Sequence, residues 1–389
     1  MKDQKNKAYT FRKFIRDIHL WLGVGSGLIL FLVCLSGTVY VFRHDIEQAM
    51  EPGKYRIEAS AIKQQPLQII ASTQQTTGGK VTRFSFYDDV SKPYELQVST
   101  SEEDKRGETY YVNPYQNKII GTGKGPSTEF FMFFFKMHRW LLFEQEIGRP
   151  IVGIATLIFI VLAVTGFILW LPNKIKGFKS FKSGLSIRFN ASWKRINHDL
   201  HNVLGFYALV VILIMALTGL NWSFEWYKEG MSGVLGAKVF GGRDEKKLNS
   251  AFIAGAEPIA VDSVMAIGNS TFDYAGKTTI SLPQEPDGSY ELRKQNDNNF
   301  NRESADKLVI DQYSGKILKR ETYADKSAGQ KLASQIKSIH TGEIFGIFSK
   351  IIYFITCLIA TSLPITGVII WINKLRKPTK KSKSVRLQP

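Results

Sequence analysis

"DLHNVLGFYALVVILIMALTG" (residues 199–219) opens on a histidine and then turns almost wholly apolar. "DIHLWLGVGSGLILFLVCLSG" (17–37) carries the same punctuation. His19 is followed by Gly23 and Gly37, and His201 by Gly205 and Gly219, at matching intervals of four and eighteen residues. About 20 consecutive apolar residues cross a bilayer as a helix. The chain has four blocks of that length, at 20–42, 151–171, 203–224 and 348–372. Two polar stretches of about a hundred residues lie between the first and second blocks and between the third and fourth. The first block is too long for the apolar core of a signal peptide, and "YVFRHDIE" (40–47) follows it with no small-residue cleavage site. It is expected to stay as a membrane helix.

The formal charge of +17 is concentrated. Residues 1–18 hold six basic and two acidic residues, 173–199 seven and one, and 373–389 seven and none. The rest of the chain balances at 31 of each sign. Basic loops mark the cytoplasmic side of a membrane protein. Both termini and the 173–199 loop are therefore expected in the cytoplasm against anionic lipid headgroups, and the two long polar stretches in the periplasm. No nucleic-acid partner is needed to account for the charge. Cys34 and Cys357 fall inside apolar blocks, so they read as small buried hydrophobes and not as a disulfide framework.

The histidine–glycine match belongs to a longer internal repeat. "AVTGFILWLPN" (163–173) aligns with "PITGVIIWINK" (364–374), sharing Thr-Gly and a Trp. "KPYELQV" (92–98) pairs with "GSYELRK" (288–294), and "YVNPYQNKIIG" (111–121) with "VIDQYSGKILK" (309–319). The last two read as strand, turn and strand. The predicted architecture is an α-helical membrane protein: a four-helix transmembrane bundle from a tandem duplication, with two α+β periplasmic domains. Its parts are a basic N-terminus (1–18), helix 1 (19–44), a first outer domain (45–128), an interfacial amphipathic helix (129–147) and helix 2 (148–172). A basic loop (173–199), helix 3 (200–225), a second outer domain (226–338), helix 4 (339–372) and a basic tail (373–389) complete it.

All six histidines lie at or near helix ends. Singly, each serves equally well as an interfacial anchor. As a set they form two symmetric pairs: His19 with His201 on the cytoplasmic side, and His138 with His340 on the outer side. Two such pairs are what two bis-histidine b-type hemes require, each iron taking imidazoles from facing helices. Gly23, Gly27 and Gly205 lie where a porphyrin would press on a helix, although close helix–helix packing asks for the same small residues. His44 and His198 break the repeat and stand as reserve ligands. Arg16, Arg139, Arg149 and Arg195 are placed to contact heme propionates, or to snorkel to the interface. A bare zinc or copper site would favour more Cys, Met or carboxylate than these positions offer.

The blocks carry no Asp, Glu, Lys or Arg in their centres, which disfavours an ion path. There is no Gly-rich dinucleotide loop and no P-loop, so electrons must come from another molecule, quinol or a cytosolic flavoprotein or ferredoxin. No acid–base catalytic residue is expected.

Several motifs carry a family likeness: "IHLWLG" (18–23), "LSGTVYVFRHDIE" (35–47), "MHRWLL" (137–142), "TGFILWLP" (165–172), "DLHNVLGFYA" (199–208), "LTGLNW" (217–222), "IHTGEIFG" (339–346) and "TGVIIW" (366–371). From about residue 12 to 375 the chain resembles the PepSY-associated transmembrane proteins, and its outer domains look like PepSY modules. The resemblance implies an iron-regulated inner-membrane protein similar to reductases that release iron from ferric siderophores. It carries the heme-ligand role over to His19, His201, His138 and His340, and leaves His44 and His198 outside the pattern. Some relatives carry a fused flavin or NADPH reductase domain, which this chain lacks. The alternative is a non-enzymatic membrane module whose PepSY domains bind a periplasmic peptide or protein along a sheet edge.

Overall fold

The computed structural model describes residues 9–60, 62–101, 107–241, 248–297, 301 and 304–376. The expected basic N-terminus lies partly, and the basic tail largely, outside the described residues. The chain divides into a helical unit, built from residues 1–40, 133–224 and 352–389, and a sheet unit, built from 41–132 and 225–351.

Among the described residues four helices are long and apolar enough to cross a membrane: Phe11–Tyr40, Gln145–Trp170, Trp193–Trp222 and Ile347–Leu375, here spans 1 to 4. Span 1 begins eight residues before its predicted start. The basic segment "FRKF" (11–14) is helical, because Lys and Arg are good helix formers once a helix is nucleated. Spans 1 and 2 pack through Leu30, Ala155 and Leu162, with Phe159 beside them. Spans 3 and 4 pack through Ala208, Ile212 and Ala360. Small residues permit this closeness. A Cβ on Gly153 would stand 2.6 Å from the Phe224 ring, so glycine lets span 2 approach the chain just after span 3. Cys34 and Cys357 are free thiols, the latter 3.7 Å from the Met215 sulfur.

The predicted interfacial helix 129–147 is shorter in the structure. It runs Thr128–Trp140 and stops because Leu141 and Leu142 both take left-handed backbone angles, φ 54° and 65°. Two such residues in a row reverse the chain at a cost that non-glycine residues rarely bear. Span 2 then starts at Gln145 with Gly148 beneath the turn, where a Cβ would collide with the Trp140 carbonyl.

The sheet unit differs from the two separate outer domains expected. Strands β1 (Lys80–Tyr87), β2 (Tyr94–Ser99), β3 (Glu108–Asn113) and β4 (Lys118–Thr122) come from the first polar stretch. Strands β5 (Lys277–Ser281), β6 (Ser289–Gln295), β7 (Ala305–Asp311) and β8 (Ile317–Glu321) come from the second. All eight join one antiparallel sheet in the order β4-β3-β2-β1-β5-β6-β7-β8. The first strand of each stretch would be an exposed edge by itself, and pairing β1 with β5 removes both edges. Ladder irregularities fall at equivalent places, Tyr111/Val112 and Val309/Ile310.

One face of the sheet is apolar by alternation. Phe84, Leu96, Val112, Ile280, Leu292 and Leu308 are buried there under Ile69 and Ile70 of helix Pro66–Thr77 and Val261 and Val264 of helix Val261–Thr271. The other face is polar. Tyr87 Oη donates to Glu95 at 2.7 Å, Lys277 Nζ donates to the same carboxylate at 2.6 Å, and Ser85 and Thr279 hydroxyls meet at 3.0 Å.

Candidate functional site

His19 lies on span 1 and His201 on span 3, 182 residues apart in sequence. Their ring centroids stand 6.3 Å apart with planes at 87°. His201 is presented by a π-helical turn, Leu200–Leu204, inside span 3. Single π turns inside α-helices often coincide with functional side chains.

Each ring is held by a threonine of the partner span. His19 Nδ1 is 2.9 Å from Thr165 Oγ1, and His201 Nδ1 is 2.9 Å from Thr366 Oγ1. The direction of these bonds follows from the threonines. Thr165 donates its hydroxyl proton to the Val161 carbonyl at 2.7 Å, and Thr366 donates to the Ser362 carbonyl at 3.0 Å. With the proton committed to the helix, each Oγ1 is left to accept, so each Nδ1 carries the hydrogen. Both Nε2 atoms therefore keep a lone pair, the form in which imidazole binds a metal.

The residue after each threonine completes the arrangement. A Cβ on Gly166 would stand 3.2 Å from His19 Cε1, and one on Gly367 3.4 Å from His201 Cε1. The Thr-Gly pair shared by the two halves thus anchors a ring with its first residue and makes room for it with its second. Asn197, fully buried, donates to the Thr366 carbonyl at 3.0 Å and braces the same corner.

Both rings line a cavity of about 660 Å³ within the helical unit. Cofactor and ligand pockets run from about 300 to 1,000 Å³. Its walls include Gly23, Gly27 and Gly205, with Phe206 and Trp170 stacked 3.8 Å apart beside them. A Cβ on Gly23 would touch only Leu162, at 3.7 Å, and one on Gly205 only Leu363, at 3.6 Å. Protein packing does not require glycine at either place, so what glycine leaves open there is cavity. Arg12, Arg16 and Lys374 give the cavity a cationic rim, with His198 beside them.

The other candidate positions are distributed as follows. His138 is in the helical unit, its Nδ1 2.9 Å from the Val33 carbonyl. A carbonyl only accepts, so Nδ1 donates and Nε2 again keeps its lone pair. A Cβ on Gly37 would stand 3.1 Å from the His138 ring. His340 lies in the last turn of helix Ala328–Thr341 in the sheet unit, which Gly342 caps at φ 75°. His44 is also in the sheet unit, 2.8 Å from Gln48 Nε2 and edge-on to Tyr55. His198 is half-exposed on the cavity rim, 3.7 Å from Asp199. Asp199 is buried and pairs with Arg195 at 2.8 Å. Arg16 reaches the rim and pairs with Asp17 at 3.2 Å. Arg139 lies over the Phe135 and Trp140 rings, and Arg149 donates to Gln145.

Sequence reading gave no role to Thr165, Gly166, Thr366, Gly367 or Arg12. The Thr-Gly repeat was visible, but its histidine partners lie 146 and 165 residues away. Arg12 donates to the carbonyls of Leu169 and Leu171 at 2.6 and 2.8 Å, closing the end of span 2 beside the cavity. No sequence signal marks that role.

His19 and His201 are the residues that would hold a metal carried by a planar macrocycle in this cavity. An imidazole nitrogen sits about 2.0–2.1 Å from a bound metal, which places each ring centroid about 3 Å away and two opposed rings about 6 Å apart. The observed 6.3 Å matches that span. Among the described residues no group of three or more His, Cys, Asp or Glu side chains could hold a bare ion.

Four membrane-length helices carrying a histidine-lined cavity, together with a mixed helix-and-sheet unit, define a multi-pass membrane protein. The family model for the PepSY-associated TM region matches residues 16–374, nearly the whole chain, and the protein belongs to that family. A comparison with curated proteins found no match.

Proposed function

We propose that the protein is a heme-b transmembrane electron carrier of the inner membrane. It takes electrons from quinol or from a cytosolic flavoprotein or ferredoxin, and delivers them to a periplasmic acceptor, a ferric siderophore or other ferric chelate. The observation that carries this reading is the His19–His201 pair, 6.3 Å apart across a glycine-walled cavity, with both Nε2 lone pairs left free. When bound, bis-imidazole heme supplies a reversible one-electron iron couple at low dielectric. The protein's part is to hold two neutral imidazoles in fixed tautomers, to exclude water with apolar walls and to offer cations at the rim for carboxylates. His138 prepares its ring in the same way, and this reading assigns it to a second heme nearer the periplasm.

In this reading both termini lie in the cytoplasm and the sheet unit in the periplasm, which the concentration of basic residues in three segments supports. The two halves arose by tandem duplication in this reading. The equivalent registers of β1–β4 and β5–β8 and the paired His–Thr bonds support it.

The test is a reduced-minus-oxidised visible spectrum of detergent-purified protein expressed with ample heme, with a hemochrome count per chain. Two b-type hemes per chain, followed by re-oxidation of the reduced protein on adding a ferric chelate, are the expected outcome. A folded, colourless protein would overturn the reading and leave a PepSY membrane module that binds a periplasmic partner.

A further inference from the structure

The two threonines do more than fill space beside the histidines. Each hydroxyl is the middle of a relay: imidazole Nδ1–H to threonine Oγ1, and threonine hydroxyl to a carbonyl one turn back in its own span. The helix fixes the direction of the relay. Thr165 sits in the body of span 2 with Val161 at i−4, and Thr366 in the body of span 4 with Ser362 at i−4. A freely turning hydroxyl could donate to Nδ1 and leave the hydrogen on Nε2, the nitrogen needed for ligation. A hydroxyl already donating to its own helix cannot. Both sites use the same device, on different spans and with equal 2.9 Å bonds.

We infer that Thr165 and Thr366 are positioning residues that set the tautomer and basicity of His19 and His201, and through them the iron affinity and reduction potential of the cytoplasmic-side heme. The inference rests on the heme reading above. An imidazole whose Nδ1–H is engaged is a stronger electron donor through Nε2 and favours the more highly charged, oxidised metal. Each threonine therefore holds the potential lower than an apolar residue of the same shape would. Gly166 and Gly367 have a complementary part, allowing the ring to reach the hydroxyl without a Cβ in the way.

The experiment compares the full-length wild type with Thr165→Val, Thr366→Val, the double valine variant, and Thr165→Ser with Thr366→Ser. Each is purified in detergent, stripped of heme and titrated with hemin, and the reconstituted protein is titrated redox-potentiometrically. Valine keeps the shape and removes the acceptor. Serine keeps the acceptor. Loss of an outer-shell partner to a metal-bound histidine typically costs about 10–100-fold in affinity, and that loss is expected for each valine variant, with a midpoint potential shifted positive and both effects restored by serine. 15N-labelled histidine spectra of the heme-free wild type are expected to show Nδ1-protonated rings, and mixed tautomers in the double valine variant. Valine variants with wild-type hemin affinity and potential, beside a wild type that binds heme through two imidazoles, would overturn this inference alone. Lower thermal stability with an unmoved potential would reduce the threonines to packing and overturn it as well. A wild type that binds no hemin would overturn it together with the heme reading.

Discussion

Phe84 and Ile280 face each other directly across the β1–β5 ladder, and both side chains are completely buried. They are also equivalent positions, since the "YEL" motifs of β2 and β6 are spaced by the same 196 residues. The flanking pairs exchange accordingly: Arg83 faces Ser281 and Ser85 faces Thr279. The join between the two half-sheets therefore has a local two-fold axis through this pair. An isologous contact of this kind uses the same patch twice and closes on itself.

Because this pair holds the join, truncating it should loosen both halves together. Phe84→Ala is expected to cost about 3–5 kcal/mol, the usual range for a fully buried phenylalanine. Denaturant-dependent proteolysis of the full chain in detergent would measure it. Cleavage confined to 41–132, with 225–351 still protected, would show that the half-sheets are independent.

On the heme reading proposed above, His19→Ala and His201→Ala should each abolish one low-spin bis-imidazole spectrum while leaving helix content unchanged. The two rings oppose each other as a pair, so the double variant should lose no more than either single one. Visible and electron paramagnetic resonance spectra of the three variants provide the check.

Gly23→Leu and Gly205→Leu place side chains into open cavity, since each new Cβ meets one leucine at ordinary contact distance. Folding should survive and hemin capacity should fall. Gly166→Ala acts differently, pressing a Cβ to 3.2 Å from the His19 ring. It should weaken hemin binding by tilting the ligand. Hemin titration beside circular dichroism separates the two effects.

Alkaline pH should open the sheet unit. Burial is the first cause that raises the Tyr87 and Tyr111 phenols well above the ordinary value, with the Glu95 carboxylate adding to it. Tyr94 is pushed up to about 12, again mainly by burial. A phenol with a raised folded-state pKa contributes stability that is fully present below the unfolded value of about 10 and is lost as pH rises above it. Ultraviolet titration should show a late tyrosine fraction ionising together with loss of the strand signal. Ionisation of every tyrosine near pH 10 with the sheet intact would contradict this.

Much of the fold was legible because membrane helices are written in simple terms. Long apolar runs and one-sided basic loops give the number and extent of the spans, and two-residue alternation in "YELQV" and "YELRK" gives strands. The joining of the outer stretches into one sheet was not legible. Strand pairing between β1 and β5 links residues about 196 apart, and neither strand states its partner. The turn at Leu141–Leu142 was hidden for a related reason, since left-handed leucines are chosen by the surrounding packing and not by their own preference.

For the site, the sequence by itself determined which side chains were available: six histidines near the ends of the apolar blocks, glycines one turn from two of them, and Thr-Gly twice. Composition and spacing along a helix suffice for that, because a helix converts sequence interval into depth and face. Only the tertiary structure decided that His19 and His201 meet at 6.3 Å, that Thr165 and Thr366 receive their Nδ1 hydrogens, and that Arg12 closes the rim. Those relations cross between spans, and the rotation of one packed helix against another is set by how small and large side chains interlock, which no local pattern records.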